Sequence, residues 1–208
     1  HRRASNADIY YVANLSDRPQ DLQTRFRVAG KSAEMWHPDT GEIQPATYSI
    51  ASGRTTVPLH LDERELVFVV FRAPAAQTDR QVPVVARSVL TTVNGPWDVT
   101  FPPNLGAPER LQLAALAPWS ANTNEGVKFF SGTATYSKSI QVRQSWLAAG
   151  QKVVLDLGAV NDLAEVAVNG RNIGILWKPP YRIDVTSAVR AGANTLENKV
   201  TNEWTKRI

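Results

Sequence analysis

Short runs of alternating apolar and polar residues, separated by turn residues, constrain the fold of this chain most strongly. In GTATYSKSIQV (132–142), Ala134, Tyr136, Ile140 and Val142 share one face of an extended strand, and threonines and serines occupy the other. Successive side chains of a strand point to opposite faces, so period-two alternation is typical of an antiparallel strand with one buried and one solvated face.

Similar strand-like runs recur along the whole chain, and no segment carries a helical stripe over three turns. One helical turn is predicted near residues 144–150, QSWLAAG. Asn169-Gly170 tolerates the two positive φ angles of a type I′ turn and predicts a hairpin. We therefore predict an all-β fold. The further runs are DIYYVAN, LQTRFRV, ATYSI, RTTVPLHL, ELVFVVF, WDVTF, KVVLDLG, AEVAVNG, YRIDVT and LENKVTN.

A stretch without any period divides these runs into two sets. Residues 73–88, APAAQTDRQVPVVARS, combine alanine, proline, glutamine and charge, which is typical of a linker. The sequence therefore predicts a first β-sandwich of about six strands over 1–74, a linker over 75–87, and a second β-sandwich of about eight strands over 88–208.

Composition and motifs exclude several classes of site. The absence of cysteine excludes disulfides, zinc-thiolate sites and thiol nucleophiles. The 23 lysines and arginines are dispersed, so we expect no nucleic-acid partner, and no apolar run is long enough to predict a membrane span. The three histidines, His1, His37 and His60, lack metal-ligand spacing. The carboxylates are scattered, so we predict no catalytic and no metal-binding residue.

The six tryptophans are more informative. We expect Trp97, Trp119 and Tyr136 to pack in the second sandwich. A tryptophan in a loop beside polar residues can instead cover the C–H face of a sugar ring, while its neighbours bind hydroxyls. The alternative is that such a loop packs against a neighbouring domain. The candidate contact residues, for carbohydrate or for another domain, are Trp177, Lys178, Tyr181, Asn202 and Trp204.

The second half of the chain resembles the sugar-binding domain of glycoside hydrolase family 2. The segment AEVAVNGRNIGILWKPPYRIDVTSAVRAGANTLENKVTN has that domain's order of motifs: the Asn169-Gly170 turn, Gly174, the aromatic loop 177–181, the strand 184–186 and the turn 192–194. NGPWDVTF and FFSGTATYSKSI resemble its earlier strands. The resemblance implies a galactose-binding-like jelly roll, and it implies that the loop at Trp177 faces a sugar or the catalytic domain.

A closer resemblance, along essentially the whole chain, is to the C-terminal region of the α-L-rhamnosidases of glycoside hydrolase family 106. It is carried by HRR…ADIYYVAN, MWHPDTGEI, LVFVVFR, FSGTATY, LDLG and LWKPPYRIDVT. This sequence departs from the family pattern at Asn198, because the family pattern has an apolar residue at that position. The resemblance implies that residues 1–74 form the β-sandwich domain that follows the catalytic barrel in this family.

The family resemblance implies a non-catalytic accessory fragment that supports a catalytic barrel and contacts carbohydrate. The expected partners are a rhamnose-containing glycan and the barrel, which this sequence does not include. We expect the fragment itself to be inactive, its parent to be a glycoside hydrolase, and the location to be periplasmic or secreted. Domains of the galactose-binding-like type often hold a structural calcium ion, but no Asp-rich loop assigns one here, so no cofactor is predicted.

Two further functions remain open from the residues alone. The chain could be an autonomous carbohydrate-binding module, or a structural or adhesive pair of sandwiches without a ligand. Binding of glycans by the isolated chain separates the first of these from the others.

Overall fold

The computed structural model describes residues 1–202 of the chain. The chain divides into two compact units, residues 1–87 and 88–208. Strands dominate both units, and helix is confined to short turns, which confirms the predicted all-β class. Within the described residues, no helix is both long and apolar enough to cross a membrane.

The first unit is a sandwich of two antiparallel sheets. A five-stranded sheet has the order β1-β2-β8-β4-β5, and a four-stranded sheet has the order β3-β7-β6-β9. The strands are β1 (Arg2–Arg3), β2 (Asp8–Ala13), β3 (Gln20–Phe26), β4 (Lys31–His37), β5 (Glu42–Pro45), β6 (Tyr48–Ala51), β7 (Arg54–Leu61), β8 (Leu66–Pro74) and β9 (Asp79–Arg80).

The core of the first unit lies between its two sheets. The long strands β7 and β8 each turn alternate residues inward, as their apolar patterns predict. The buried members of this core are Phe26, Val28, Ala33, Ala46, Tyr48, Val57, Leu59, Leu61, Val67, Val69 and Phe71.

The structure differs from the sequence prediction at two places in this unit. The predicted linker 75–87 contains β9, whose Arg80 pairs with Tyr48 of β6, so part of this stretch belongs to a sheet. Strand β4, KSAEMWH, was not predicted, although it lies second from the edge of the larger sheet. Its lysine, alanine and glutamate have low strand propensity, and pairing with β8 and β5 overrides that preference.

The second unit pairs a six-stranded sheet with a small two-stranded one. The orders are β11-β10-β12-β17-β14-β15 and β13-β16. The elements are β10 (Trp97–Thr100), β11 (Arg110–Leu113), α1 (Glu125–Lys128), β12 (Thr133–Val142), β13 (Val154–Asp156), β14 (Leu163–Val168), β15 (Arg171–Leu176), β16 (Arg182–Asp184) and β17 (Gly192–Thr201).

Local sequence signals of the second unit are confirmed. Asn169 and Gly170 both adopt positive φ, 53° and 78°, and join β14 to β15 as a hairpin. A 3₁₀ turn covers Gln144–Leu147, where one helical turn was predicted. The core lies between the two sheets, with Trp97 and Tyr136 buried in it and Trp119 partly buried against it. These three aromatic residues therefore pack as predicted.

Candidate functional site

The segment Trp177–Tyr181 joins β15 to β16, and its two aromatic rings have opposite environments. The Trp177 side chain is 60% exposed, whereas Tyr181 is only 7% exposed. The Lys178 ammonium lies 5.8 Å from the centre of the Trp177 ring. The peptide bond between Pro179 and Pro180 is cis. One end of the segment is thus an exposed aromatic surface, and the other end is an anchor.

Tyr181 anchors the segment within its own unit. Its hydroxyl donates a long hydrogen bond, 3.4 Å, to the Asp162 carbonyl oxygen, and its own carbonyl accepts one of 2.9 Å from the Leu157 amide. Burial, followed by the charge of Asp162, raises the pKa of the Tyr181 hydroxyl. Of the predicted aromatic pair, only Trp177 therefore offers a ring to a partner.

Asn202 holds a loop in place. Its Nδ2 donates a hydrogen bond of 2.8 Å to the Phe130 carbonyl oxygen, and its Oδ1 accepts one of 2.9 Å from the Gly132 amide. The side chain is buried, and both of these hydrogen bonds lie inside the second unit. Trp204, the last predicted contact residue, lies outside the described residues.

A shallow groove lies on the outer face of the six-stranded sheet, next to the exposed tryptophan. Its volume is about 270 Å³. Two cross-strand rows form it: Leu163 pairs with Thr201, which pairs with Thr133, and Ile175 pairs with Glu165, which pairs with Lys199. The pair Ala164–Leu176 ends the β14–β15 ladder, so Trp177 follows in the position opposite Leu163.

The groove combines polar and apolar groups. The Thr133 and Thr201 hydroxyl oxygens are 2.7 Å apart and share a hydrogen bond. Lys199 Nζ lies 3.3 Å from Glu165 Oε1, which also accepts a hydrogen bond of 2.9 Å from Asn172. Sequence analysis missed these residues. Their signal was the row of threonines and serines on the solvated face of β12, which a sequence alone cannot connect to β14 and β17.

The first unit carries a different surface, on the face of its five-stranded sheet that points away from the core. One cross-strand row contains Tyr11, Phe68, Trp36 and Ile43 in register on β2, β8, β4 and β5. Tyr11 is 55% exposed and Ile43 is 50% exposed. We call these four residues the outer apolar row. Sequence analysis missed it, although ELVFVVF has apolar residues at both odd and even positions, which indicates a strand covered on both faces.

An ion pair borders the outer apolar row. Arg72 Nε donates a hydrogen bond of 2.9 Å to Glu34 Oε2, which also accepts one of 2.9 Å from the Trp36 indole N–H. The Arg72 guanidinium lies 5.3 Å from the centre of the Trp36 ring. The Trp36 ring is therefore already covered on one face by a cation.

The charged clusters of the first unit form ion pairs and charge-assisted hydrogen bonds. Asp8 is buried and contacts Lys31 Nζ at 3.0 Å and Arg3 Nε at 3.1 Å. The hydrogen bond from Lys31 leads the effects that lower the pKa of Asp8, against the opposing effect of burial. His60 Nδ1 lies 2.7 Å from Asp21, which raises the pKa of this exposed histidine. Within residues 1–202, no three histidine, aspartate or glutamate side chains form a metal-binding group.

Comparison with known families matches both units. Residues 1–50 match the family model of glycoside hydrolase family 106, α-L-rhamnosidase. Residues 117–208 match the galactose-binding-like domain of glycosyl hydrolase family 2. Both resemblances predicted from the motifs are thereby confirmed.

Individual relatives agree with the family models. A rhamnosidase from Novosphingobium sp. PP1Y is 45% identical, with a TM-score of 0.91 over 99% of this chain. A protein of Formosa agariphila with the provisional name β-glucuronidase is 49% identical over 114 residues, 55% of this chain. The chain spans 19% of the length of the rhamnosidase and 10% of the length of the Formosa protein.

Proposed function

We propose that this chain, which is homologous to segments of glycoside hydrolases through both of its units, is a non-catalytic accessory region of an α-L-rhamnosidase. In this role it supports the catalytic barrel of a longer protein and contacts its carbohydrate substrate. The longer protein would act in the periplasm or outside the cell, where polymeric glycans are met. The observation that carries the supporting role is the outer apolar row.

The outer apolar row lies where a single sandwich would present polar residues. The outward face of an antiparallel sheet is normally solvated. Here Tyr11 and Ile43 are about half exposed, and Phe68 and Trp36 lie between them in register. Contiguous exposed apolar surface on a folded domain marks an interaction site, because covering it removes apolar area from water.

A protein surface fits this row better than a sugar does. The Trp36 indole N–H is already bonded to Glu34. Phe68 and Ile43 offer no hydrogen-bonding groups, whereas sugar hydroxyls need partners. The solved rhamnosidase that resembles this chain extends far beyond the matched part, since the chain covers 19% of it. We therefore assign the outer apolar row to contact with the catalytic part of the same protein.

The non-catalytic part of the proposal is tested with the purified 208-residue chain. We expect no release of aryl alcohol from an aryl α-L-rhamnoside, because no paired carboxylates at catalytic spacing are predicted in it. Hydrolysis by a clean preparation that is abolished by substituting a carboxylate of this chain would contradict the proposal.

The supporting role is tested in the longer protein. The double variant Tyr11→Ser/Ile43→Ser should shorten the half-life of rhamnosidase activity on heating and leave its initial activity near that of wild type. Leu15→Ser removes an even more exposed apolar side chain from a loop outside the row and serves as the control. If the double variant and the control inactivate at the wild-type rate, the row does not support the catalytic part.

A second function, that of a module that binds carbohydrate by itself, is favoured by one observation. Trp177 exposes a flat ring beside a groove of mixed polarity in the second unit. This function and the supporting role use different units, so they are compatible.

A further inference from the structure

The groove of the second unit has a chemical character that the outer apolar row lacks. Three apolar side chains, Leu163, Ile175 and Trp177, are 41%, 60% and 60% exposed. Leu163 and Ile175 lie on adjacent strands of one sheet face, and Trp177 follows at the end of the same ladder. The residues that alternate with them, such as Ala164 and Val166, are fully buried. The exposure is thus a property of one face and not of a frayed strand.

Hydrogen-bonding groups lie within the same groove. Thr133 and Thr201 present two hydroxyls 2.7 Å apart; beyond their shared bond, one of them can still donate a hydrogen bond and both can still accept. Glu165 adds carboxylate acceptors, and Lys199 adds ammonium donors beyond their contact of 3.3 Å. All four side chains line the groove together with Leu163 and Ile175.

A pyranose ring has the matching pattern. One face of such a ring is made of C–H groups, which pack on an aromatic or aliphatic surface, and its rim carries hydroxyls that both donate and accept hydrogen bonds. Small-molecule sites usually range from roughly 300 to 1,000 Å³. The groove, at about 270 Å³, lies slightly below this range, so we assign it a single ring.

We propose that the groove formed by Thr133, Leu163, Glu165, Ile175, Lys199 and Thr201, with Trp177 at its edge, binds one pyranose unit of a glycan. Trp177 covers the C–H face of the ring, and the two threonines and the Glu165–Lys199 pair bind its hydroxyls. The inference deepens the proposed carbohydrate contact and rests on it for the class of glycan, which is one that contains rhamnose. It places that contact on the sheet face and removes Tyr181 and Asn202 from it.

The groove is tested with the 208-residue chain and two probes, methyl α-L-rhamnopyranoside and an α-linked rhamnose oligosaccharide. Titration followed by ¹H–¹⁵N NMR should shift the Trp177 indole signal and the backbone amides of Glu165 and Thr201 in a saturable manner. Trp177→Ala should weaken binding about tenfold or more, as truncation of a central aromatic contact does. Thr201→Val keeps the shape of the side chain, removes its hydroxyl and should weaken binding several-fold.

Phe129→Ala is the matched control. Phe129 is an exposed aromatic residue of the same unit, and Lys128 Nζ lies 5.3 Å from its ring, much as Lys178 lies near Trp177. Its removal should leave binding unchanged. The far-ultraviolet circular dichroism and melting temperature of each variant should match those of wild type, since all three side chains lie at least partly exposed.

Two results would contradict the proposal that the groove binds a pyranose ring. One is the absence of saturable shifts with both probes. The other is binding that survives both Trp177→Ala and Thr201→Val, or that is lost equally in Phe129→Ala. The heat inactivation of the Tyr11→Ser/Ile43→Ser variant of the longer protein is measured independently of glycan binding. A wrong assignment of the groove can therefore be distinguished from a wrong assignment of the supporting role.

Discussion

The indole N–H of Trp119 donates a hydrogen bond to the hydroxyl oxygen of Tyr136. Trp119 belongs to an aromatic cluster in which it meets Phe130 edge-on at 5.3 Å and Phe130 meets Phe101 at 4.8 Å, and Tyr136 lies in the same core. Burial raises the pKa of the Tyr136 hydroxyl. The polar ends of two large side chains therefore satisfy each other inside apolar surroundings, which is the usual condition for burying them.

Removing that hydroxyl should destabilise the second unit. Tyr136→Phe leaves the Trp119 N–H without its acceptor, and we expect a loss of about 1–2 kcal/mol in the free energy of unfolding. Tyr181→Phe is the control, because the hydroxyl there makes only a long bond of 3.4 Å, and it should cost less. Urea unfolding followed by tryptophan fluorescence measures both. Equal losses would mean that the Trp119–Tyr136 bond contributes nothing specific.

The two tryptophans Trp97 and Trp177 should differ sharply when each is replaced by alanine. Trp97 is 4% exposed and lies in the core of the second unit, so Trp97→Ala should cost about 3–5 kcal/mol. Trp177→Ala should change the free energy of unfolding by about 0.5 kcal/mol or less, as exposed substitutions do. Thermal melting of both variants checks this pair, and a large drop for Trp177→Ala would mean that the Trp177 ring packs in the core of its unit.

Replacing the buried Asn198 by valine should stabilise the chain. Asn198 lies on β17 between Tyr136 and Val166, and its Oδ1 is buried without a hydrogen-bond partner in the described part of the chain. The α-L-rhamnosidase pattern that this chain resembles has an apolar residue at the position of Asn198. Because an unsatisfied buried oxygen costs free energy, we expect Asn198→Val to raise the free energy of unfolding by about 1 kcal/mol.

A second buried asparagine provides the matched control for Asn198→Val. Asn194 Nδ2 donates hydrogen bonds of 2.7 Å to the Arg190 carbonyl and 3.0 Å to the Gly192 carbonyl, and its Oδ1 accepts one of 2.9 Å from the Arg190 amide. Asn194→Val should therefore destabilise the chain by about 1–3 kcal/mol. If both valine variants shift the urea midpoint in the same direction, the hydrogen bonding of the side-chain amide does not explain the difference in stability between the two positions.

Asp8 should make the stability of the first unit depend on acid pH. Its pKa is lowered in the folded state, chiefly by the hydrogen bond from Lys31, so it stabilises the fold at pH values above its unfolded pKa of about 3.8. This contribution is lost as the pH falls through the lower folded pKa. Asp8→Asn should cost about 1–3 kcal/mol at pH 7, and its difference from wild type should shrink below about pH 4. A difference that stays constant from pH 7 to pH 2 would contradict this origin.

The sequence predicted those parts of the fold that depend on neighbours along the chain. Alternation over 132–142 identified β12 and its buried face, and Asn169-Gly170 identified a hairpin, because both signals act within a few residues. Strand β4 escaped prediction because several of its residues have weak strand propensity and its place is set by β8, about thirty to forty residues later.

For the candidate site, too, local features could be predicted from the sequence and long-range contacts could not. The composition of residues 177–181 indicated an aromatic contact segment, but it could not show that Tyr181 is buried while Trp177 is exposed. Nor could it show that Asn202 holds the loop at Phe130–Gly132, about seventy residues away in sequence.

The sequence by itself determined the all-β class and the strand faces, because side-chain alternation is a local property of an extended backbone. Only the tertiary structure decided which outward faces stay uncovered. Tyr11, Phe68, Trp36 and Ile43 come from four strands, and they form a row only when the order and register of the sheet bring them together. The groove beside Trp177 arises in the same way. Strand pairing joins residues distant in sequence, so neither surface can be derived from any single run of residues.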